Sequence, residues 1–288
     1  MTADIAARTS RGTLLTPQLF DALSRFITAE LGIKMPPSKR TMLQSRLQKR
    51  LRRLRLDSFE AYHDYVFSDE GRDRELHHLL DAVTTNKTDF FREPRHFQVL
   101  TETTLPDLLN QTGAGLRRPL KLWSAGCSTG AEAYTLTMVL SEYAGQVQGF
   151  AYQILATDIS TRVLETGRQA IYEEREVEPV PMALKKKYLL RSKDRGRPRV
   201  RIIPDLRGRV KFQRLNLMDA DYGRTAEMDI IFCRNVIIYF DRPTQEAVLA
   251  RLCRCLKPGG YLFMGHSETL NGFNLPLRQI ATTVYRKL

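Results

Sequence analysis

The sequence predicts an α/β fold: an open, mostly parallel sheet alternating with helices, preceded by an all-α domain and interrupted by a small antiparallel β insertion. Three observations predict it. An apolar strand around Leu122–Ala125 runs into a glycine turn, Gly126 to Gly130, and directly on into helix-forming residues. Four further apolar runs end in or lead to polar residues and are separated by helical pattern, the alternation that builds parallel sheets. Ahead of them, residues 14 to 85 repeat apolar side chains at helical spacing.

The elements follow in chain order. Thr16-Pro17 opens the first helix, with threonine at the cap, proline in the first turn, and Leu19, Phe20, Leu23, Phe26 and Ile27 at helical spacing. Pro36-Pro37-Ser38 opens a second, with Leu43, Leu47, Leu51 and Leu54 on one stripe, Lys49, Arg52 and Arg53 on the opposite side, and Arg46 and Arg50 flanking the stripe. Two more helices are expected over 57–68 and 72–83, and Thr84 to Arg92 links to the larger domain, whose sheet starts near Lys121. Its later strands are Tyr152–Thr157 ending in Asp158, Val210–Leu215 ending in Asn216, Met228–Phe232 ending in Cys233-Arg234-Asn235, and a run from Tyr261 after Gly259-Gly260. Residues 173 to 212 break this rhythm. Glu178-Pro179-Val180-Pro181 ends helical pattern, and Asp194-Arg195-Gly196-Arg197-Pro198 is a turn between short β-rich runs, which reads as an antiparallel insertion. It is either a decorated loop with solvated arginines or a docking element offering an edge strand to an extended peptide.

The glycine turn carries chemistry. Glycine lets the backbone turn sharply and a ligand come close, and the helix that follows directs free N–H groups and its positive dipole end into a crevice at the carboxyl end of the strand. The spacing is Gly-x-x-x-Gly, and Glu132 just inside the helix would repel a phosphate. A nucleoside without phosphate is the better expectation, and S-adenosylmethionine fits. Asp158, ending the second strand, is placed to accept hydrogen bonds from ribose hydroxyls or to help Ser160 cap the next helix.

Four stretches resemble one family: Thr85-Asn86-Lys87-Thr88-Asp89-Phe90-Phe91-Arg92, the turn Gly126 to Glu132, Phe232-Cys233-Arg234-Asn235-Val236-Ile237-Ile238-Tyr239-Phe240-Asp241, and Gly265-His266-Ser267-Glu268. They resemble the chemotaxis-receptor glutamate methyltransferases, the CheR family, over residues 14 to 288. The family usually carries a second acid after the second glycine where this chain has Ala131, but the matching Glu132 is retained.

The resemblance implies a class I, Rossmann-like methyltransferase domain over 99–288, a linker 86–98 closing over the cofactor, an N-terminal receptor-recognition domain over 14–85, and the β insertion at 173–212. It implies S-adenosylmethionine as cofactor and S-adenosylhomocysteine as product. Asn86, Thr88 and Arg92 would close over the cofactor and Ala125 and Gly126 cradle it. Glu132 would meet its amino group, Asp158 the ribose, and Asn216 and Leu217 the adenine edge, while Arg234 and Asn235 line the floor. Arg92 and Tyr239 are the catalytic candidates. Arg92 could grip the methionine carboxylate or the incoming glutamate with its planar fork, or pair with a helix end. Tyr239 could bond the substrate, shape the pocket or pack in the core. His266 is given structure before chemistry. Arg46, Lys49, Arg50 and Arg53 would recognise the acidic methylation helices of cytoplasmic chemoreceptor domains. In some family members the β insertion holds a receptor's C-terminal peptide. A glutamate with a pKa of about 4.3 is already ionised at neutral pH and needs no general base, so the work is in-line positioning at about 3–3.5 Å.

Charge supports an acidic partner. Residues 34 to 55 hold nine Lys or Arg and no acid, and residues 185 to 211 hold twelve against Asp194 and Asp205. These segments exceed the net charge of +13, so the rest of the chain is net acidic. A nucleic-acid methyltransferase is the alternative suggested by the charge, but Cys233-Arg234-Asn235-Val236 is not the Asn/Asp-Pro-Pro-aromatic box of amino-methylating DNA enzymes, and aromatics do not cluster on a basic face. A receptor-docking protein that binds the cofactor without catalysis is the other; retained Arg92 and Tyr239 argue against it. Cys127, Cys233, Cys253 and Cys255 lack zinc spacing, so no metal is expected. The first dozen residues lack a signal peptide's apolar stretch, and no run of about 18 apolar residues exists. The expectation is a reduced, cytoplasmic protein.

Overall fold

The structure, a computed structural model, describes residues 14–194, 196–223 and 227–288, and every count below is made among these. The first dozen residues and Arg195 of the expected turn lie outside the described residues. The chain divides into two compact units. One takes in residues up to Thr85 together with Tyr239–Asp241, and the other Asn86–Ile238 and Arg242–Leu288.

The first unit is helical: α1 Pro17–Leu31, a 3₁₀ turn Pro37–Lys39, α2 Arg40–Leu54, α3 Phe59–Phe67, α4 Asp69–Arg74 and α5 Leu76–Val83. Thr16 caps α1 by accepting the Leu19 N–H at 3.3 Å, with Pro17 in the first turn. On α2, Leu43, Leu47 and Leu51 are buried and Leu54 half-buried, while Lys49, Arg52 and Arg53 are exposed. The two helices expected over 57–68 and 72–83 are three. The second is broken at Glu75, whose φ of −118° separates α4 from α5, while Ser68 ends α3 and its hydroxyl accepts the Gly71 N–H at 3.1 Å to start α4.

The second unit opens with α6 Arg95–Val99, a π-helical turn Leu100–Thr104 and α7 Leu105–Thr112. The alternating part follows: β1 Leu120–Ala125, α8 Ala131–Gln146, β2 Tyr152–Asp158, α9 Thr161–Gln169, β6 Val210–Arg214, β7 Met228–Cys233, α12 Arg242–Cys255 and β8 Leu256–Met264. Between α9 and β6 lie β3 Ile171–Glu173, α10 Met182–Tyr188, β4 Leu189–Arg191, β5 Arg199–Ile202 and α11 Pro204–Arg207, and the chain ends in β9 Leu277–Ala281 and β10 Val284–Lys287.

The main sheet runs β6-β2-β1-β7-β8-β10-β9. Its first five strands are parallel neighbours, and the final hairpin is antiparallel. The insertion is a separate antiparallel sheet, β3-β5-β4, bounded by Ile171 and Ile202. Expected to reach 212, it ends earlier, because Val210–Arg214 pairs in parallel with β2. The core is built on strands whose buried positions are mostly apolar, with Leu122, Ile154, Ile230, Phe232 and Phe263 buried. Phe232 stacks on Phe263 at 4.3 Å between centroids. All four cysteines are free and buried. No helix is long and apolar enough to cross a membrane.

Candidate active site

The strand order reverses between β1 and β7, since β1, β2 and β6 lie on one side and β7 and β8 on the other. Open α/β sheets hold ligands at such a switch point, outside the carboxyl ends of the strands. Here the β1 end delivers Ala125 and Gly126, and the β7 end delivers Arg234 and Asn235. Gly126 has φ 77°, and a Cβ on it would stand 2.5 Å from Val236 Cγ2, so only glycine lets the two strand ends approach this closely. Gly126 and Cys127 donate their N–H groups to Thr157 at 2.8 and 2.9 Å.

Asp158, at the end of β2, is buried and accepts the Ser128 N–H and the Ser160 N–H, each at 2.9 Å. Its carboxylate therefore ties the glycine turn to the start of α9, where Ser160 accepts the Val163 N–H. Ser128 takes φ 50° to make its bond and donates its hydroxyl to the Asn86 carbonyl at 2.8 Å. That bond fastens the linker over the turn.

The floor is an ionic cluster that the sequence reading only half identifies. Arg234, with 2% of its side chain exposed, donates from Nη1 to Glu132 at 3.2 Å and from Nη2 to Glu93 at 3.0 Å. Its Nε reaches Glu93 at 3.3 Å, and Nη2 also donates to the Arg92 carbonyl at 2.5 Å. Glu132 accepts the Ser124 hydroxyl at 2.6 Å. Burial pushes the Glu132 carboxyl up, and Arg234 works against it. Burial pushes Glu93 up too, but Arg234 and His266 together more than reverse this and leave its pKa below the usual 4.5. His96, buried beside Glu93, is pushed down to about 4, first by burial and then by Arg234. Glu93, His96 and His266 offer donor atoms within 4.8 Å of one another. Arg234 already holds Oε2 of Glu93, so a metal cation would have to displace a guanidinium.

Glu268 holds the segment after β7. Its carboxylate accepts four backbone N–H groups, from Asn235 at 2.7 Å, Val236 and Gly265 at 2.8 Å and Ile237 at 2.9 Å. Asn235 sits at φ 60° in the turn so formed. Burial raises the pKa of Glu268 and the N–H groups oppose the rise.

The structure does not bring all the expected residues together. Glu132, Arg234 and Asn235 meet in one cluster, which Arg92 joins through its carbonyl, and Asn86, Gly126 and Asp158 form or adjoin the glycine turn. Thr88 is half-buried in the linker, and Arg92 turns its guanidinium back to the Lys87 carbonyl at 3.4 Å. Asn216 and Leu217 follow β6 beside Asp158, where Asn216 Oδ1 accepts the Met218 N–H and the Leu217 carbonyl accepts the Tyr222 hydroxyl. Tyr239 belongs to the first unit, where its carbonyl accepts the Lys34 N–H at 2.9 Å, so the second unit's cluster is built without it.

The expected receptor-facing set also divides. Arg50 is clamped by both oxygens of buried Glu75, at 2.7 and 2.6 Å, and Arg46 donates to the Val83 and Thr84 carbonyls at 2.7 and 3.0 Å, closing the end of α5. Lys49 and Arg53 stay exposed. Glu93 and Glu268 are the site residues the sequence reading misses. Each stands inside a quoted stretch or right after one, but neither spacing nor residue type says that it points inward.

The donor set suits a cationic nucleoside. Carboxylates outnumber the buried guanidinium and stand where phosphates would be repelled, the composition expected for S-adenosylmethionine. Comparison with known proteins agrees. The family described as "CheR methyltransferase, SAM binding domain" matches residues 86–286, and "CheR methyltransferase, all-alpha domain" matches residues 18–84. "Chemotaxis protein methyltransferase 2" of Pseudomonas aeruginosa is 39% identical over 254 residues, covering 88% of this chain and 87% of that protein. "Chemotaxis protein methyltransferase" of Borreliella burgdorferi is 37% identical, covering 93% and 94%. Its namesake in Escherichia coli is 35% identical, covering 92% and 89%.

Proposed function

Since the chain belongs to the CheR methyltransferase family, and so carries an S-adenosylmethionine-binding domain, we propose that it methylates glutamate side chains of chemotaxis receptors as γ-methyl esters. The observation that carries the reading is the exposed row Lys49, Arg52 and Arg53 on α2, whose other face is core. It is a complement for an acidic helix presented by a receptor's cytoplasmic domain. When bound, S-adenosylmethionine supplies an electrophilic methyl group. Glu132 and Asp158 would hold its amino group and ribose, Asn216 and Leu217 its adenine edge, and the Asn86–Arg92 linker would exclude water. Arg92 would orient the incoming carboxylate, which is already ionised, and Tyr239 would help place it.

The test is direct. Methyl-labelled S-adenosylmethionine is supplied with receptor membranes or with nucleic acid. Label on receptor that alkali releases as methanol supports glutamate esterification. Alkali-stable label, or label on nucleic acid, overturns it.

Two further outcomes are expected. Asp158→Ala should weaken S-adenosylhomocysteine binding by about 1–3 kcal/mol, the scale of lost charge-assisted hydrogen bonds; unchanged calorimetric affinity would remove Asp158 from the cofactor site. Lys49→Glu with Arg53→Glu should lower receptor methylation severely and leave product affinity unchanged. Exposed pairs contribute about 0.2–1 kcal/mol each, so the cluster acts together, and its steering fades as salt shortens the Debye length from about 10 Å to about 3 Å. Normal rate and normal salt dependence in this double variant would leave α2 a merely solvated face.

A second surface fits a receptor segment. Met182, Leu189, Val177 and Val200 line a cavity of about 410 Å³ rimmed by Lys185, Lys186 and an Arg191–Glu174 ion pair, beside the edge strand β4. An extended C-terminal peptide with acidic and apolar side chains would add to that edge.

A further inference from the structure

We infer that Thr135 is a positioning residue for methyl transfer: its hydroxyl fixes the backbone that carries Arg92, and so sets where the Arg92 guanidinium meets an incoming carboxylate. The inference rests on the reading of Arg92 given above and adds a residue to it.

Thr135 lies on α8 and its side chain is fully buried. A hydroxyl there needs partners for both its donor and its acceptor sides. Oγ1 donates to the Ala131 carbonyl at 2.8 Å, one turn back on the same helix, which is the usual back-bond of a helical threonine. It also accepts the Phe91 N–H at 3.1 Å, from 44 residues earlier in the chain. That second bond reaches the residue immediately before Arg92. Glu132, one turn earlier on α8, is near enough for the Arg92 charge to act on its carboxyl.

The backbone around Arg92 needs such a hold. Phe91 takes φ 53° and Glu93 φ 56°, so Arg92 stands between two non-glycine residues in the left-handed region. That conformation persists only where the surroundings over-determine it. Each flank has its own restraint. Before Arg92, Thr135 takes the Phe91 N–H, and the buried Phe90 ring packs edge-on against Tyr172 at 5.0 Å. After it, Arg234 takes the Arg92 carbonyl at 2.5 Å and the Glu93 carboxylate at 3.0 Å. The Arg92 guanidinium reaches the Lys87 carbonyl at 3.4 Å, too long a bond to fix it. Its direction therefore comes from the backbone, and half of the backbone's restraint comes from α8.

Thr135→Val keeps the shape of the side chain and removes the hydroxyl. The Ala131 carbonyl stays within the ladder of α8, so the loss falls on the Phe91 N–H and the segment it restrains.

The full-length chain is assayed with methyl-labelled S-adenosylmethionine and receptor membranes. Thr135→Val should lower kcat about tenfold or more, because small misplacements of a positioning group cost up to about a hundredfold. Its calorimetric Kd for S-adenosylhomocysteine should change less than about threefold. Thr135→Ser restores the hydroxyl and should recover most of the rate, while Thr135→Ala, which removes it without adding a methyl group, should match Thr135→Val. In an Arg92→Ala background, Thr135→Val should cost little further, since both changes then act through one side chain. Normal kcat in the folded Thr135→Val and Thr135→Ala variants, failure of Thr135→Ser to recover the rate, or losses that multiply with Arg92→Ala would make Thr135 a structural stitch and overturn the inference. A normal rate in Arg92→Ala would instead overturn the reading of Arg92, and no transfer by the unmodified chain would overturn the proposed function itself.

Discussion

Glu268→Ala should destabilise the second unit by about 4 kcal/mol. Four backbone N–H groups, from Asn235, Val236, Ile237 and Gly265, converge on this one carboxylate. Each buried donor left without an acceptor costs about 1–3 kcal/mol, with water recovering part of it. Against a typical stability of about 5–15 kcal/mol, that is a large fraction. Glu268→Gln should give little relief, because its amide keeps one acceptor oxygen and turns two hydrogens toward N–H groups that also donate. Urea unfolding of the purified variants measures the loss. A change under about 1 kcal/mol would mean that the segment after β7 holds its shape without this acid.

The second large effect is expected at Arg234. Arg234→Met keeps the length of the side chain and removes the charge, stranding Glu93 and Glu132 as buried carboxylates. Removing one member of a buried ionic cluster costs about 3–5 kcal/mol, mostly as the penalty on what remains. The pH dependence carries the signature. In the unmodified chain Glu93 has a depressed pKa, so its stabilising contribution is present above about pH 4.5 and is lost as the pH falls below that. In the variant, burial raises both carboxyl pKa values. Folding then takes up protons, and the deficit should shrink between pH 7 and pH 5. A deficit that stays constant over that interval would show that the two acids are not desolvated as the structure has them.

The parallel half of the sheet is legible because its strands are apolar runs with polar ends, and because each glycine turn or cap falls where a helix must start. Thr16, Ser160 and Gly126 can be read from residue type alone, since few side chains do what they do. The stretch from 93 to 119 is less legible. The π-helical turn Leu100–Thr104 inserts an extra residue, so Val99, Leu100, Leu105 and Leu108 fall out of the 3.6-residue period. The hairpin Leu277–Lys287 is hidden for another reason: β9 is exposed along most of its length and shows no apolar alternation. Glu93 and Glu268 are hidden because their roles depend on backbone angles and on partners more than 30 residues away. Arg46 and Arg50 show the converse. Their type and spacing suggest a basic surface, and only the fold reveals that Glu75 and the end of α5 have claimed them.

Neither unit is a single contiguous piece of chain, because the helical one recruits Tyr239–Asp241 from far downstream. Recombination between relatives therefore has no clean single junction. A chimera cut after Thr85 would inherit its helices from one parent and the acceptor for Lys34 from the other, together with the tyrosine expected to touch substrate. An exchange confined to the residues before Asn86 therefore leaves part of the helical unit behind, and moving that unit whole needs two further crossovers around Tyr239–Asp241.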